Sequence, residues 1–374
     1  MDDTNILKEI TDPRTALPID TMLSRMADID ASDLYIKPGS PPTYRVHGGN
    51  EAFNAKPLYP PDTEALIDPI LCDRDKRIFE ERQGVNLARS VSGVGRFRLN
   101  VYKQRGSVAL VARRIKTEVP SLDKMALPEI LKSIVMEKNG LVFVTGATGS
   151  GKSTTLAGMI DCRNSTAPGH IVTIEDPIEF LHPDKKCIVS QRELGVDCQT
   201  MEDALHDALR QAPDVILVGE VRDAAIMEEA LAFAETGHLV LGTLHSTNAN
   251  QTMERILNFF PPANHHQIMM QLALSLRAVV SQRLVRRADG DGRVAAMEIL
   301  LATQRVKEQI KRGEIEALKS TMRAGADDGM QTFDMALYNL QQQGVVDIDT
   351  ALAAADSPAD LRMQIRGFHA MSVT

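Results

Sequence analysis

Paired cysteines are missing from this sequence of 374 residues. The four cysteines, Cys72, Cys162, Cys187 and Cys198, form no C-x-x-C motif, and none has a histidine at the spacing of a zinc site. The opening residues, MDDTNILKEI, are acidic and lack the apolar segment of a secretory signal. We therefore expect free thiols in a reducing cytoplasm and no zinc centre.

A long apolar run is also missing. The best candidate, IMMQLALSLRAVV at 268–280, is shorter than the roughly 20 residues that a membrane span needs, and Gln271, Ser275 and Arg277 interrupt it. It predicts a buried amphipathic helix. The sequence thus predicts no transmembrane segment, and any membrane association would be peripheral.

An excess of basic charge is absent as well. The formal net charge is −8, which argues against a surface devoted to nucleic acid. One small basic cluster, RLVRR at 283–287, is typical of a solvated helix end. With 43% apolar and 25% charged residues, the composition is that of a globular protein, and a DNA translocase is not favoured.

The pattern along the chain predicts two domains joined by a linker. Residues 1–115 read as a small α+β domain, and 116–128 carry two prolines and mixed charge, as a linker or ordered clasp would. From 129 to 300, helices alternate with strands, and 301–374 are mostly helical. The strands LVFVT, HIVTIED, DVILVGE and HLVLGTLH are apolar throughout, which predicts an α/β domain with a mostly parallel sheet covered by helices.

A phosphate-binding loop follows the first of these strands. GATGSGKS fits G-x-x-x-x-G-K-[ST], and a helix follows it. The glycines let backbone N–H groups converge on phosphate oxygens, and the helix directs its positive end at the same anion. We expect Lys152 to reach the outer phosphates of ATP and the Ser153 hydroxyl to ligate Mg²⁺. The predicted nucleotide-binding residues are Gly146, Ala147, Thr148, Gly149, Ser150, Gly151, Lys152, Ser153 and Thr154.

Acidic residues end two of the other strands. Glu220 ends DVILVGE, and Glu175, Asp176 and Glu179 lie within VTIEDPIEF. Because ligands bind at the carboxyl ends of parallel strands, one carboxylate would hold Mg²⁺ through its water shell and another would polarise the attacking water. Glu179 and Glu220 are the two candidates, with their roles undivided. His245 ends HLVLGTLH at the same edge and is a candidate sensor of the γ-phosphate.

Four segments in order resemble the Walker A, Asp-box, Walker B and His-box motifs of the secretion-superfamily ATPases: GATGSGKSTT, TIEDPIEF, ILVGEVRD and AETGHLVLGTLHSTNA. Their spacing resembles that of the type IV pilus retraction branch, the PilT/PilU family. The resemblance extends from ASDLYIKPGSPPTYRV to GMQTFDMAL. AFAETGHL, NANQTMERILNFFP and SPADLRMQIRG are more similar to PilU-like than to PilT-like members.

The resemblance implies a RecA-like P-loop domain preceded by a smaller PAS-like domain, assembled as a homohexameric ring. It also implies that arginines of the N-terminal domain contact nucleotide phosphates, and Arg98, Arg105 and Arg113 occupy the corresponding positions. ATP binding would then draw the two domains together about a hinge at 116–128, and loss of the γ-phosphate would release them.

By the same resemblance, the expected function is an ATP-hydrolysing motor for type IV pilus retraction and twitching motility. It would act alongside a PilT-like paralogue and on an inner-membrane pilus platform protein, from a cytoplasmic position at the pilus base. TQRVKEQIKRGE at 303–314 departs from the A-I-R-N-L motif of PilT-type chains, which leaves open whether the protein retracts pili alone.

Two alternatives stay open within the superfamily. A pilus-assembly or type II secretion motor usually carries a paired C-x-x-C zinc module and an extra N-terminal domain, and the sequence shows neither. An ATP-binding coupling subunit would assist a paralogous motor without hydrolysing ATP itself. The intact motifs favour hydrolysis, while the altered 303–314 segment is compatible with the assisting role.

Overall fold

The computed structural model describes residues 19–53, 56–116 and 118–371, with backbone alone for 368–371. It contains two compact units. The N-terminal unit extends to Glu118 and also holds the short segment Glu179–Leu181, and the remainder from Val119 onward forms the C-terminal unit. The acidic opening segment and Thr117 of the predicted linker lie outside the described residues.

The N-terminal unit is built on a six-stranded antiparallel sheet of order β3-β2-β1-β6-β5-β4. On β5, Phe97, Leu99 and Val101 are fully buried while Arg98 between them is partly exposed, as expected for a sheet with one face against a core. The strands are β1 (Ala31–Ile36), β2 (Thr43–Val46), β3 (Gly49–Ala52), β4 (Gly84–Val91), β5 (Gly95–Gln104) and β6 (Ser107–Arg114), and the helices are α1 (Ile19–Asp28), α2 (Pro60–Ile67) and α3 (Asp73–Arg82).

The C-terminal unit is built on a seven-stranded sheet of order β13-β12-β7-β11-β10-β8-β9. Every neighbouring pair is parallel except the hairpin of β12 and β13, so the predicted mostly parallel sheet is confirmed. The strands are β7 (Gly140–Thr145), β8 (Gly169–Glu175), β9 (Cys187–Glu193), β10 (Val215–Val218), β11 (Leu239–Leu244), β12 (Leu276–Arg286) and β13 (Arg293–Leu301).

Helices cover both faces of this sheet, which explains why its central strands are apolar throughout. Leu141 and Phe143 of β7 belong to one core, and Val142 and Val144 belong to the core on the opposite face. The helices are α4 (Ile130–Val135), α5 (Lys152–Thr166), α6 (Met201–Ala208), α7 (Ala224–Glu235), α8 (Ala249–Asn258), α9 (His265–Ser275), α10 (Gln304–Arg312), α11 (Leu318–Ala324), α12 (Phe333–Gln342), α13 (Ile348–Ala354) and α14 (Pro358–Met371). Within the described ranges, none of the helices has the length and apolarity to span a bilayer.

The apolar run at 268–280 is not a single helix, so that prediction was wrong. Helix α9 ends at Ser275, and β12 begins at Leu276. The residues 278–280 are buried within the sheet between β7 and β13. The prediction failed because a short apolar run is compatible with a buried strand as well as with a buried helix. The basic cluster at 283–287 accordingly begins on β12 and is not a helix end.

Candidate nucleotide-binding site

The phosphate-binding loop connects β7 to α5, as the sequence predicts. Gly146 and Gly151 have φ angles of 150° and 90°, in the region that favours glycine. A Cβ at Gly146 would lie 2.5 Å from the backbone oxygen of Gln282, and one at Gly151 would lie 2.8 Å from Nε2 of the same residue. The loop therefore packs closely against β12. A side chain at Gly146 or Gly151 would clash with Gln282 and change the conformation of the loop.

Lys152 places its ammonium inside the curve of the loop. The side chain is 9% exposed, and Nζ donates hydrogen bonds to the backbone oxygens of Gly146 at 2.7 Å and Ala147 at 3.0 Å. One positive charge is thus held beside the backbone of the loop and the N-terminus of the 15-residue helix α5, whose first N–H groups have no intrahelical acceptor. This arrangement suits an anion.

Two further features fit a bound phosphate and its metal ion. Ser150 Oγ is buried and has no hydrogen-bond partner among the described residues, so a buried donor is available beside the loop. Ser153 and Thr154 are half-buried in the first turn of α5. In the described part of the chain, no three His, Cys, Asp or Glu side chains form a metal-binding group.

The strands that carry the other candidates end at the same edge of the sheet. Leu244 of β11 pairs with Thr145, the last residue of β7, so His245 follows at the level where the loop begins. Val218 of β10 pairs with Gly242 of β11, which places Glu220 at this edge as well. The parallel register brings together residues that are distant in sequence.

At this edge, Glu220 contacts two cationic or potentially cationic groups. Arg222 Nε donates to Glu220 Oε2 at 3.0 Å, and Arg222 Nη2 donates to Asp176 Oδ2 at 3.0 Å. His245 Nε2 lies 3.2 Å from Glu220 Oε1. We call Asp176, Glu220, Arg222 and His245 the edge cluster. The hydrogen bond to Glu220, opposed by partial burial and helped by Asp176, raises the pKa of Arg222, so its guanidinium is charged at all working pH values.

Close backbone packing brings the strands of the edge cluster together. A Cβ at Gly219 would lie 3.0 Å from the backbone oxygen of Ile174 on β8, so only glycine fits without a shift. Thr243 Oγ1 donates to the backbone oxygen of Gly219, and Val221 donates its N–H to the backbone oxygen of Thr243 at 3.0 Å. These contacts fix the backbone on both sides of Glu220.

The other acids of VTIEDPIEF separate from one another. Glu175 accepts hydrogen bonds from Thr173 of β8 at 2.8 Å and from Gln191 of β9 at 3.1 Å, so its carboxylate connects these two strands. Glu179 is exposed and belongs to the N-terminal unit, where neighbouring Phe180 and Leu181 contact the backbone of Lys116. The division of roles between Glu179 and Glu220 stays a prediction.

The three candidate arginines of the N-terminal unit lie on β5, on β6 and in the turn between them. Arg98 of β5 pairs directly with Arg113 of β6, so both side chains are on one face of the sheet, and Arg105 occupies the turn with a φ of 48°. Asp33 of β1 pairs with Arg113, is 2% exposed, and accepts a hydrogen bond from Arg113 Nε at 2.8 Å. The neighbouring Arg114 forms an ion pair with Asp30 at 3.0 Å.

Sequence reasoning missed three polar residues that support these sites. Arg222 had a local signal, a cation two positions after Glu220 in ILVGEVRD. Asp33 and Gln282 had none, because the residues that they contact lie 80 and 127 positions away.

Comparisons with known proteins show what the chain is similar to. Residues 94–356 match the family described as type II/IV secretion system protein. The type IV pilus ATPase PilU of Pseudomonas aeruginosa is 47% identical over 94% of this chain and 92% of its own length. The PilT retraction ATPase of the same organism is 41% identical over 91% of this chain and 99% of its own. A crystal structure of the pilus retraction motor PilT with bound ADP superimposes with a TM-score of 0.85 at 40% identity, covering 93% of this chain and 99% of that one.

Proposed function

The chain belongs to the type II/IV secretion system protein family, and from that membership we propose that it is an ATP-hydrolysing motor that powers type IV pilus retraction. One observation carries the proposal: the loop that holds Lys152 lies at the same sheet edge as Glu220 and His245. A phosphate-binding element next to a carboxylate and an imidazole has the parts that nucleotide hydrolysis requires.

Each residue of the C-terminal unit has a physical role in this proposal. The loop N–H groups and Lys152 bind the phosphates and offset their charge. Glu220 orients a water, since its carboxylate is held by Arg222 and His245. His245 responds to the γ-phosphate through its contact with Glu220. When bound, Mg²⁺ would offset charge on the outer phosphates, with Ser153 as a ligand and Glu220 as a contact through water.

In the proposed motor, the N-terminal unit supplies arginines to the phosphates. A guanidinium disperses the charge that develops on the γ-phosphoryl oxygens, which is the role we assign to Arg98, Arg105 and Arg113. Their engagement depends on which phosphates are present. The two units would therefore close on ATP and open after hydrolysis, with 116–128 as the hinge.

The proposed partners follow from the relatives. PilU and PilT of Pseudomonas aeruginosa are both similar to this chain, so we propose a homohexamer that works beside a PilT-like paralogue. It would act on an inner-membrane platform protein from the cytoplasmic side. One observation favours a second candidate, a coupling subunit: the segment 303–314, mostly α10, departs from the A-I-R-N-L motif of PilT-type chains.

ATP turnover by the purified full-length protein tests the function. We expect wild type to hydrolyse ATP and Lys152→Ala to lose roughly 10²-fold or more, because the charge inside the loop is lost. Lys132→Ala is the control, since Lys132 pairs with Asp123 and Glu129 at the surface. Undiminished turnover by Lys152→Ala would refute the loop assignment. Turnover that appears only after a PilT-like paralogue is added would favour the coupling subunit.

A further inference from the structure

Two consecutive residues of β12 contact the phosphate-binding loop at both of its ends. Ser281 Oγ accepts a hydrogen bond at 3.0 Å from Thr145, the residue before the loop. Gln282 Oε1 accepts a hydrogen bond at 2.7 Å from Oγ1 of Thr155 in the first turn of α5. The loop is therefore bounded on one side by a strand that lies far from it in sequence.

Gln282 also lies close to two glycines of the loop itself. Its backbone oxygen lies beside Gly146, and its side-chain Nε2 lies beside Gly151. A Cβ added at these glycines would come within 2.5 Å and 2.8 Å of the two atoms, respectively. The side chain is 3% exposed, and Thr155 takes its oxygen, so its amide nitrogen is directed toward Gly151. A buried amide fixed in this way has a single orientation against the loop.

A second buried glutamine shows the same chemistry away from the loop. Gln309 of α10 is 8% exposed, and its Oε1 accepts a hydrogen bond at 2.9 Å from Oγ1 of Thr321. Each glutamine thus joins its element to a threonine on a helix. Of these two glutamines, it is Gln282 that lies against the first and last glycines of the phosphate-binding motif.

We propose that Gln282 is a positioning residue for ATP hydrolysis, a role that rests on the proposed function. It holds Gly146 and Gly151 at the separation at which the loop N–H groups and Lys152 converge on phosphate. Without its side chain, Gly151 and the first turn of α5 lose the amide group beside them, while the backbone oxygen beside Gly146 remains. Phosphate binding must then order the loop first, and affinity falls by that cost.

Three substitutions separate positioning from stability. Gln282→Leu keeps the volume and removes both the acceptor for Thr155 and the amide nitrogen beside Gly151. Gln282→Glu keeps the acceptor for Thr155 but turns a carboxylate oxygen toward Gly151 and the phosphates. Thr155→Val removes only the hydrogen bond and keeps the shape, so it serves if the Gln282 variants do not fold. Gln309→Leu is the matched control.

The measurements are KM and kcat for ATP hydrolysis, Kd for ADP by calorimetry, and the thermal midpoint of each full-length variant. We expect Gln282→Leu to raise KM and the ADP Kd about 10-fold or more, and Gln282→Glu to raise them further because like charges repel. Thr155→Val should raise both values less than Gln282→Leu. Gln309→Leu should lower the thermal midpoint about as much as Gln282→Leu does, and it should leave KM and Kd within about twofold of wild type.

The outcomes distinguish this inference from the proposed function. Equal KM and Kd values in Gln282→Leu and Gln309→Leu, with wild type active, would overturn the positioning role and leave the motor function intact. An inactive wild type would refute the motor function. In that case, the role of Gln282 at the loop is still tested by comparing the Kd for ADP of wild type with that of each variant.

Discussion

At the scale of single residues, Glu220 is the most constrained acid of the candidate site. It shares one carboxylate between Arg222 and His245, and the backbone on either side of it is fixed by Thr243. A carboxylate that is held in one orientation by two neighbours suits a group that must orient water rather than bind phosphate directly.

We expect Glu220→Gln to bind ATP and hydrolyse it roughly 10²-fold more slowly, because the amide keeps the shape but cannot accept a proton from water. The nucleotide that remains bound after gel filtration should be ATP, identified by ion-exchange chromatography. Glu228→Gln on the exposed side of α7 is the control and should hydrolyse ATP normally. Wild-type turnover in Glu220→Gln would transfer the role to Glu179.

Glu298 of β13 is a buried acid outside the edge cluster. It is 1% exposed and accepts a hydrogen bond at 2.8 Å from the N–H of Ala249, the first residue of α8. Burial raises its pKa to about 7, Asp356 adds to the rise, and Ala249, Lys319 and Arg283 oppose it. Since α8 begins four residues after His245, this carboxyl caps the helix next to the edge cluster.

The raised pKa of Glu298 predicts a pH dependence of stability. Between pH 4.5 and about 7, the folded state keeps a proton that the unfolded state loses, so stability falls as pH rises through this window. Glu298→Gln keeps an acceptor for Ala249 and has no charge to bury. In urea unfolding, the free energy of unfolding of wild type should therefore fall between pH 5 and pH 8 by up to about 3 kcal/mol more than that of the variant. If wild type and Glu298→Gln differ in free energy of unfolding by the same amount at both pH values, the pKa of Glu298 is not raised.

At the scale of elements, the β12–β13 hairpin connects the sheet to the last helices. Arg283 of β12 lies over the ring of Phe333 on α12, with its Cζ 3.8 Å from the ring centre. It also donates to the backbone oxygen of Ala354 at the end of α13 at 2.8 Å and pairs with Asp356 at 2.7 Å. Because Arg283 follows Gln282, one strand contacts the loop with one residue and the last helices with the next.

We expect Arg283→Met to destabilise this attachment by about 2 kcal/mol or more, because Asp356 keeps only Lys319 as a partner and the cation–π contact is lost. Hydrogen exchange should increase across 344–367. Arg287→Met on the same hairpin is the control, since Arg287 pairs with Asp289 at the surface. Equal protection of 344–367 in the two variants would show that Arg283 does not hold the helices.

At the scale of the whole molecule, the proposed motor needs the N-terminal unit to act on nucleotide held by the C-terminal unit. Arg98 and Arg113 suit that role because they face the same way from neighbouring strands. Asp33, which is buried beside Arg113, accepts a hydrogen bond from that guanidinium and orients it.

We expect Arg98→Ala combined with Arg113→Ala to lower kcat about 10²-fold while the ADP Kd changes little, because these charges act on the γ-phosphoryl group during hydrolysis. Steady-state turnover and calorimetry of the full-length protein measure the two quantities. Arg77→Ala is the control, since the side chain of Arg77 on α3 donates to the backbone of Asp73 within the same helix. A double variant that hydrolyses ATP at the rate of wild type would remove the N-terminal unit from the chemistry.

The phosphate-binding loop and the strands before and after it could be predicted because their signals are local. The glycines, Lys152 and the following helix are consecutive, and a strand buried on both faces is apolar at every position. The run at 268–280 could not be divided in the same way. Its helix ends at Ser275 because the following residues complete the sheet beside β7, a contact that no local pattern encodes.

The sequence by itself determined the chemistry of the site: which residues can bind phosphate, and at which strand ends acids and a histidine occur. Only the tertiary structure decided which of them meet. Parallel pairing brought His245 to the start of the loop and beside Glu220, and it set Gln282 against both end glycines. The physical reason is that register and side-chain contact depend on elements that lie apart in the sequence, whereas glycine, lysine and carboxylate keep their chemistry in any fold.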